Sequence, residues 1–228
     1  MSQWNKNELL EDDRHLIHPL QHPSDHENPI VFVKSEGSVV TDIDGKDYID
    51  GLSSLWNVTV GHGRRELAEA AASQMKEMAY FSAYVGCTNV PAIQLATRMS
   101  EVAPTGLNAT FFTTGGAVSN DSAIKTARFY WQTRGQSEKV KIISRIDAYH
   151  GVTMAAMNVT GISTYWPMFE SKLPNFLHVM PPYPYHYTPE DSDIGCGEAA
   201  ARALEEAILR EGPETVAAFI GEPVMGAG

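Results

Sequence analysis

Ala109-Thr110-Phe111-Phe112-Thr113-Thr114-Gly115-Gly116-Ala117-Val118-Ser119-Asn120-Asp121 is the stretch on which the reading of this chain turns. Apolar residues 109–112 predict a strand, which runs through small residues directly into an amphipathic helix over about 119–133. The helix's buried face would be Ile124, Ala127, the stem of Arg128 and Trp131. Backbone N–H groups at 115–119 have no partners inside such a helix, and its dipole adds partial positive charge there. Both effects attract an anion, typically a phosphate, by about 0.3–2 kcal/mol from the dipole alone. Gly115 and Gly116 let the backbone come close to it. Taken singly, a strand–glycine–helix junction serves equally well as a plain turn.

Outward from this stretch the same alternation continues. Strands are predicted at 140–143, 176–180 and 216–221, and helices at 66–78, 92–102 and 198–209. Short apolar strands alternating with helices predict an α/β fold with a mostly parallel sheet covered on both faces. Residues 30–50 read differently, as three short strands with Asp44-Gly45 turning between the last two. A short helix over 8–15 precedes them, ended by Pro19 and Pro23. The expected division is a small β-containing lobe over 1–60 and a large domain over 61–228. Met225-Gly226-Ala227-Gly228 follows a strand directly, where a parallel sheet would return through a helix, so the layout predicts that a C-terminal half is missing.

Composition narrows the function. The 228 residues are 43% hydrophobic and 20% charged, as in an ordinary globular protein. A net charge of -11 argues against nucleic-acid binding, because phosphates would be repelled and no basic stripe compensates. No apolar run has a membrane helix's length, and the polar, acidic start argues against a secretory signal. Cys87 and Cys196 form no C-x-x-C pair, which suits reduced thiols in a cytoplasmic protein. His15, His18, His22 and His26 have metal-like spacing, but Pro19 and Pro23 break the helix that would align them and no cysteine lies nearby. The expectation is no metal, and an extended arm over the mouth of a site or across a dimer contact.

Two further candidates sit at predicted strand ends, where open α/β sheets bind ligands. In Ala148-Tyr149-His150-Gly151 the tyrosine suits stacking on a flat ring and the histidine a hydrogen bond to it. The alternative is a packed aromatic at a strand end. In Gly221-Glu222-Pro223-Val224 a carboxylate on a tight turn needs a cation or proton donor to be buried. Three strand ends of one sheet converge on one crevice, and phosphate, ring and carboxylate together describe a phosphorylated heteroaromatic cofactor.

Asp42-x-Asp44-Gly45-x-x-Tyr48-Ile49-Asp50-Gly51, then Leu55-Trp56-Asn57-Val58-x-Val60-Gly61-His62, resembles the N-terminal signature of class III, or omega, aminotransferases. The order of the 111–121 stretch, Tyr149-His150-Gly151 and Glu222-Pro223-Val224 resembles that family too, over essentially the whole chain. The resemblance implies a fold type I enzyme that uses pyridoxal 5'-phosphate (PLP) and forms a homodimer. It also implies transfer of an amino group from taurine, β-alanine, a diamine or a similar ω-amine to a keto acid such as pyruvate. By the same resemblance Gly115, Gly116 and Ala117 hold the cofactor phosphate and Asn120 lies near the cofactor. Tyr149 stacks on the pyridine ring, His150 flanks it, Glu222 supports the acidic network below, and Trp56 and Tyr84 line the substrate entrance.

The chain departs from the family where Gly115-Gly116-Ala117-Val118-Ser119 replaces the common Ser-Gly-Ser-Glu-Ala. Loss of a serine hydroxyl removes a charge-assisted bond of roughly 1.5–3 kcal/mol, and Val118 deletes an acid near the helix start. The family's Schiff-base lysine and pyridine-pairing aspartate lie beyond Gly228, so no catalytic residue is expected in these 228 residues and the chain alone is expected to be inactive. A same-fold aminomutase or decarboxylase, and a non-catalytic binder of a phosphorylated ligand, stay open as alternatives.

Overall fold

A computed structural model describes residues 4–19, 22–169, 173–186 and 194–228. The chain forms two compact units, Met1–Arg98 and Met99–Gly228. The boundary expected near residue 60 therefore falls inside the first unit.

In the first unit, helix α1 (Lys6–Asp12) is capped by Asn5, whose side chain accepts from the amides of Asn7 and Glu8. A 3₁₀ turn, Asp13–His15, follows it, and a second one spans Pro23–His26. Three antiparallel strands come next: β1 (Phe32–Glu36), β2 (Val39–Asp42) and β3 (Asp47–Ile49), in the order β1-β2-β3. Buried Asp42 shapes the turn between β2 and β3. One of its oxygens accepts from the amides of Asp44 (3.0 Å) and Lys46 (2.9 Å), and the other from the Tyr48 hydroxyl (2.9 Å). Gly45, at φ 84°, completes that turn in the left-handed region. Helix α2 (Arg65–Met78) follows, and α3 (Val90–Val102) carries the chain into the second unit.

The second unit is a three-layer sandwich. Parallel strands β4 (Lys141–Arg145), β5 (Phe176–Val179) and β6 (Val216–Phe219) lie in the order β5-β4-β6. Central β4 is buried on both faces, and its alternating side chains feed two cores. Ile143 packs with Val179, Val216 and Ala207, the last on helix α7 (Cys196–Glu211). Ile142 packs with Ile124 of helix α4 (Gly116–Thr133) and Val159 of helix α5 (Met154–Val159). A short helix, α6 (Tyr165–Phe169), precedes β5. Arg128 and Trp131, both on the predicted face of α4, donate to the carbonyls of Val140 and Ala217.

Two expectations are corrected. Helix α4 begins at Gly116, three residues earlier than its apolar pattern indicates, because the small residues of the turn already take helical conformation. The strand expected at 109–112 does not form; Phe111 is 80% exposed, and among the described residues this segment pairs with no strand. A strand exists only where a neighbour accepts its N–H and C=O groups, and an apolar run does not say where that neighbour is. The short helices α5 and α6 are below the length at which periodicity shows.

Residues Ser53, Ser54, Leu55 and Trp56 have φ values of 49°, 49°, 58° and 69°, a left-handed turn made without glycine. Such backbone costs about 1–2 kcal/mol per residue for L-amino acids. Asp50 holds it: one oxygen accepts from the Ser54 amide (2.9 Å), the other from the Ser54 hydroxyl (2.9 Å) and His62 Nε2 (2.9 Å). The side chains of Asp50 and His62 are only 11% and 14% exposed. The Ser54 amide, followed by His62, lowers the Asp50 pKa to about 2. A depressed carboxyl stabilises the fold fully above its ordinary pKa of 3.8 and ceases to do so as pH falls through about 2. The thermal-unfolding midpoints of wild type and Asp50→Asn should therefore differ most at neutral pH and converge between pH 4 and about pH 2. A gap that stays constant over that range would mean that the carboxylate charge does not hold the turn.

Candidate functional site

The turn before α4 and the loop after β4 meet in the second unit. Gly151 sits at φ 116°, and a Cβ placed there would lie 2.5 Å from the Ala117 Cβ and 2.8 Å from its Cα. Those distances leave no room for any side chain, so the two segments touch through backbone and a single methyl. Asn120 Nδ2 donates to the His150 carbonyl at 2.7 Å and ties the loop one turn further along the helix. Asp121 accepts from the Ala156 amide at 2.8 Å and so caps α5, whose own N-cap residue Thr153 makes no side-chain cap bond.

The turn itself presents amides. No side chain caps α4, and Gly115 is extended, with φ 177°. A Cβ at Gly115 or Gly116 would meet nothing within 4 Å, so both glycines leave the approach to the helix start open. The hydroxyls of Thr113 and Ser119 bond to each other and to the Gly115 carbonyl, each at 3.1 Å from that oxygen. What this turn offers an anion is therefore backbone N–H and the positive end of an 18-residue helix.

Glu222 has the proton donors that its burial calls for. One oxygen accepts from the Tyr149 amide (2.9 Å) and the other from the Gly226 amide (3.2 Å), while Arg145 donates to the Glu222 carbonyl (2.9 Å). The carboxylate thus fixes the backbone from which the Tyr149 ring projects, and Tyr149 stays 39% exposed. His150 is buried; its amide donates to the hydroxyl of fully buried Thr160 at 2.9 Å, and its Nε2 has no hydrogen-bond partner among the described residues. Burial pushes the His150 pKa down; the nearby Glu222 charge opposes this and Arg145 adds to it. The ring is accordingly neutral at pH 7.

Five of the predicted site residues take part in these bonds and contacts, Ala117, Asn120, Tyr149, His150 and Glu222, and Gly116 opens the same helix. Gly115 caps that helix. Trp56 and Tyr84 lie in the first unit, 59% and 79% exposed, Trp56 on the left-handed turn. Sequence reasoning missed Arg145, Thr160 and Asp121, which act through long-range bonds with no local pattern. Gly151 carries a sequence signal, a glycine directly after Tyr149-His150. A cavity of about 270 Å³ between α7 and the carboxyl ends of the strands, lined by Arg145, Val179, Ala200, Leu204 and Phe219 among others, contains none of the predicted residues.

The donor set fits a phosphorylated ring: open amides at a helix start, an exposed aromatic beside them, and a buried neutral imidazole with an unused nitrogen. Comparison with known proteins agrees. The family model described as Aminotransferase class-III matches residues 20–228. The putrescine–pyruvate aminotransferase of Pseudomonas aeruginosa is 37% identical over 198 residues, 87% of this chain and 43% of that protein. The diaminobutyrate–2-oxoglutarate transaminase of Halomonas elongata is 38% identical over 201 residues, again 87% and 43%. Among solved structures, an (S)-enantioselective omega-transaminase from Thermomicrobium roseum superposes with a TM-score of 0.94 at 47% identity, covering 99% of this chain and 51% of that one. The omega transaminase of Pseudomonas jessenii in complex with PMP gives 0.91 at 35%, covering 96% and 49%. The chain spans about half the length of the relatives it matches. It belongs to the class III aminotransferases, a family of PLP-dependent enzymes.

Proposed function

We propose that the Gly115–Gly116–Ala117 turn binds the phosphate of PLP, and that the protein of relatives' length moves an amino group from an ω-amine to a keto acid such as pyruvate. The observation that supports this reading is the contact of Gly151 with Ala117, which brings the first turn of α4 against the loop that carries Tyr149 and His150. Among donors, a diamine has the most direct support, from the relative named for putrescine and pyruvate; taurine and β-alanine belong to the same chemical class.

PLP supplies the electron sink through which amino groups are exchanged. The chain's own residues bind and orient. First-turn amides of α4 and its dipole take the phosphate. The Tyr149 ring covers one face of the cofactor, its backbone fixed by Glu222. Neutral His150 flanks the ring as a hydrogen-bonding group and adds no charge, while Asn120 keeps its carbonyl in place. Trp56 and Tyr84 serve as walls of the substrate entrance. The described lysines of the second unit are ordinary structural groups: Lys139 and Lys141 bond to carbonyls of Pro213, Val216 and Glu211, and Lys125 is an exposed residue of α4. Lys172 lies outside the described residues. The 228 residues alone therefore hold cofactor without turning over amines. Exposed Tyr80, Tyr84 and Phe111 support association as a homodimer, and two free cysteines support a cytoplasmic setting.

Binding of PLP to the 228-residue chain, followed by tryptophan fluorescence, should be at least about tenfold tighter than that of pyridoxal, since the phosphate brings charge-assisted bonds. Tyr149→Ala should weaken PLP by roughly three- to tenfold through lost stacking. Equal affinity for the two compounds would remove the phosphate cradle from the reading. In a chain of the relatives' length, alanine should form from pyruvate and putrescine or another ω-amine; no alanine with any such donor would end the aminotransferase assignment.

Gly151→Ala tests the contact itself. Overpacking against Ala117 should destabilise the second unit by about 1–3 kcal/mol in urea unfolding and weaken PLP by more than Tyr149→Ala does. Unchanged stability and affinity would show that the two segments separate without consequence.

A further inference from the structure

We propose that Asp13, His18 and His26 form a site for a zinc-class divalent metal ion that cross-links the N-terminal arm. The three side chains place their ligand atoms within 4.8 Å of one another. His18 Nε2 lies 3.1 Å from both Asp13 oxygens, and His26 Nε2 lies 2.9 Å from Oδ2. The two imidazole rings stack with centroids 3.6 Å apart and planes tilted by 36°, so both Nε2 atoms face one carboxylate. All three side chains are largely buried, at 25%, 26% and 19% exposure.

The ligands come from three separate places: the 3₁₀ turn after α1, the segment beyond it, and the last residue of the Pro23–His26 turn. Pro19 and Pro23 break the continuous helix that the histidine spacing first suggests, and His26 still lies against Asp13. Two imidazoles and a carboxylate are the donor set of a three-ligand zinc site, with a fourth position left to solvent. At metal–ligand distances of about 2.0–2.1 Å, tetrahedral donors stand about 3.3 Å apart, a few tenths of an ångström wider than the present imidazole–carboxylate distances. Lys6 pairs with Asp44, so an ion pair ties α1 to the turn after β2, but the arm contributes little apolar core. Helix α1 buries no residue, and Leu16 and Ile17 are 61% and 91% exposed. A segment with so little core of its own is held by a polar cluster or by a metal.

Chelator-treated chain should bind one equivalent of Zn²⁺ in competition with a chromogenic chelator, and the thermal midpoint should rise with Zn²⁺ but not with Mg²⁺. His18→Ala and His26→Ala should each weaken zinc by at least about 100-fold, whereas His15→Ala and His22→Ala should leave it unchanged. Asp13→Asn separates a ligand from a hydrogen-bond acceptor: it keeps an acceptor oxygen for both imidazoles, so the arm still folds by circular dichroism, yet zinc binding should fall by the same factor. Absence of a one-to-one zinc complex in wild type overturns the proposal. So does a complex that survives His18→Ala with His26→Ala, or one that His22→Ala removes equally.

Discussion

The second unit depends on a place where nothing larger than a hydrogen atom fits. Gly151 lies against Ala117 so closely that the loop after β4 and the first turn of α4 share one surface. A methyl on one side and no side chain on the other set the distance between the amides of the turn and the Tyr149 backbone. The surrounding bonds all act on the same loop. Asn120 and Thr160 hold His150, Glu222 holds Tyr149, and Asp121 holds the start of α5. A neutral bond of this kind contributes about 1 kcal/mol, so no single one places the loop. Together with the contact they leave it one position.

The electrostatics follow the same economy of means. In a chain with a net charge of -11, the turn before α4 offers an anion amides and not cations. For that to work, the acids nearby must be occupied. Asp121 and Glu222 are both turned onto backbone N–H groups, which spreads their charge into the structure. Val118, at the place where the motif the chain resembles has glutamate, leaves no acidic side chain in the first turn of α4. In the sequence that replacement looks like a loss. At a helix start that receives a phosphate it removes a repulsion, and the missing serine hydroxyl is balanced in part by it.

What could be read from the sequence was local. Alternating Ile142 and Ile143, the apolar face of α4 and the Asp44-Gly45 turn state their geometry within a few residues, and these elements form where expected. The pairs within the site were legible as residue types at predicted strand ends. What was not legible depends on partners distant in sequence. Residues 109–112 look like a strand and are not paired as one. Arg145 and Thr160 carry no pattern, since their bonds run to Glu222 and His150. The spacing of the four histidines, interrupted by Pro19 and Pro23, argues against a shared site, yet Asp13 bonds to two of them, which spacing does not encode.

The left-handed turn at Ser53–Trp56 was equally hidden, because no glycine announces it. Four successive L-residues with positive φ are costly, and a chain under no other demand would place glycine or asparagine there. Side chains are kept at a price in backbone energy when the side chains themselves are needed. The turn leaves Leu55 and Trp56 exposed, at 70% and 59%, while Asp50, Ser54 and His62 below it are bonded to one another. An apolar pair raised on a polar clamp is the arrangement expected of a recognition surface, since burial would have been the cheaper use of an indole. The strain therefore goes into displaying Leu55 and Trp56 at the surface of the first unit.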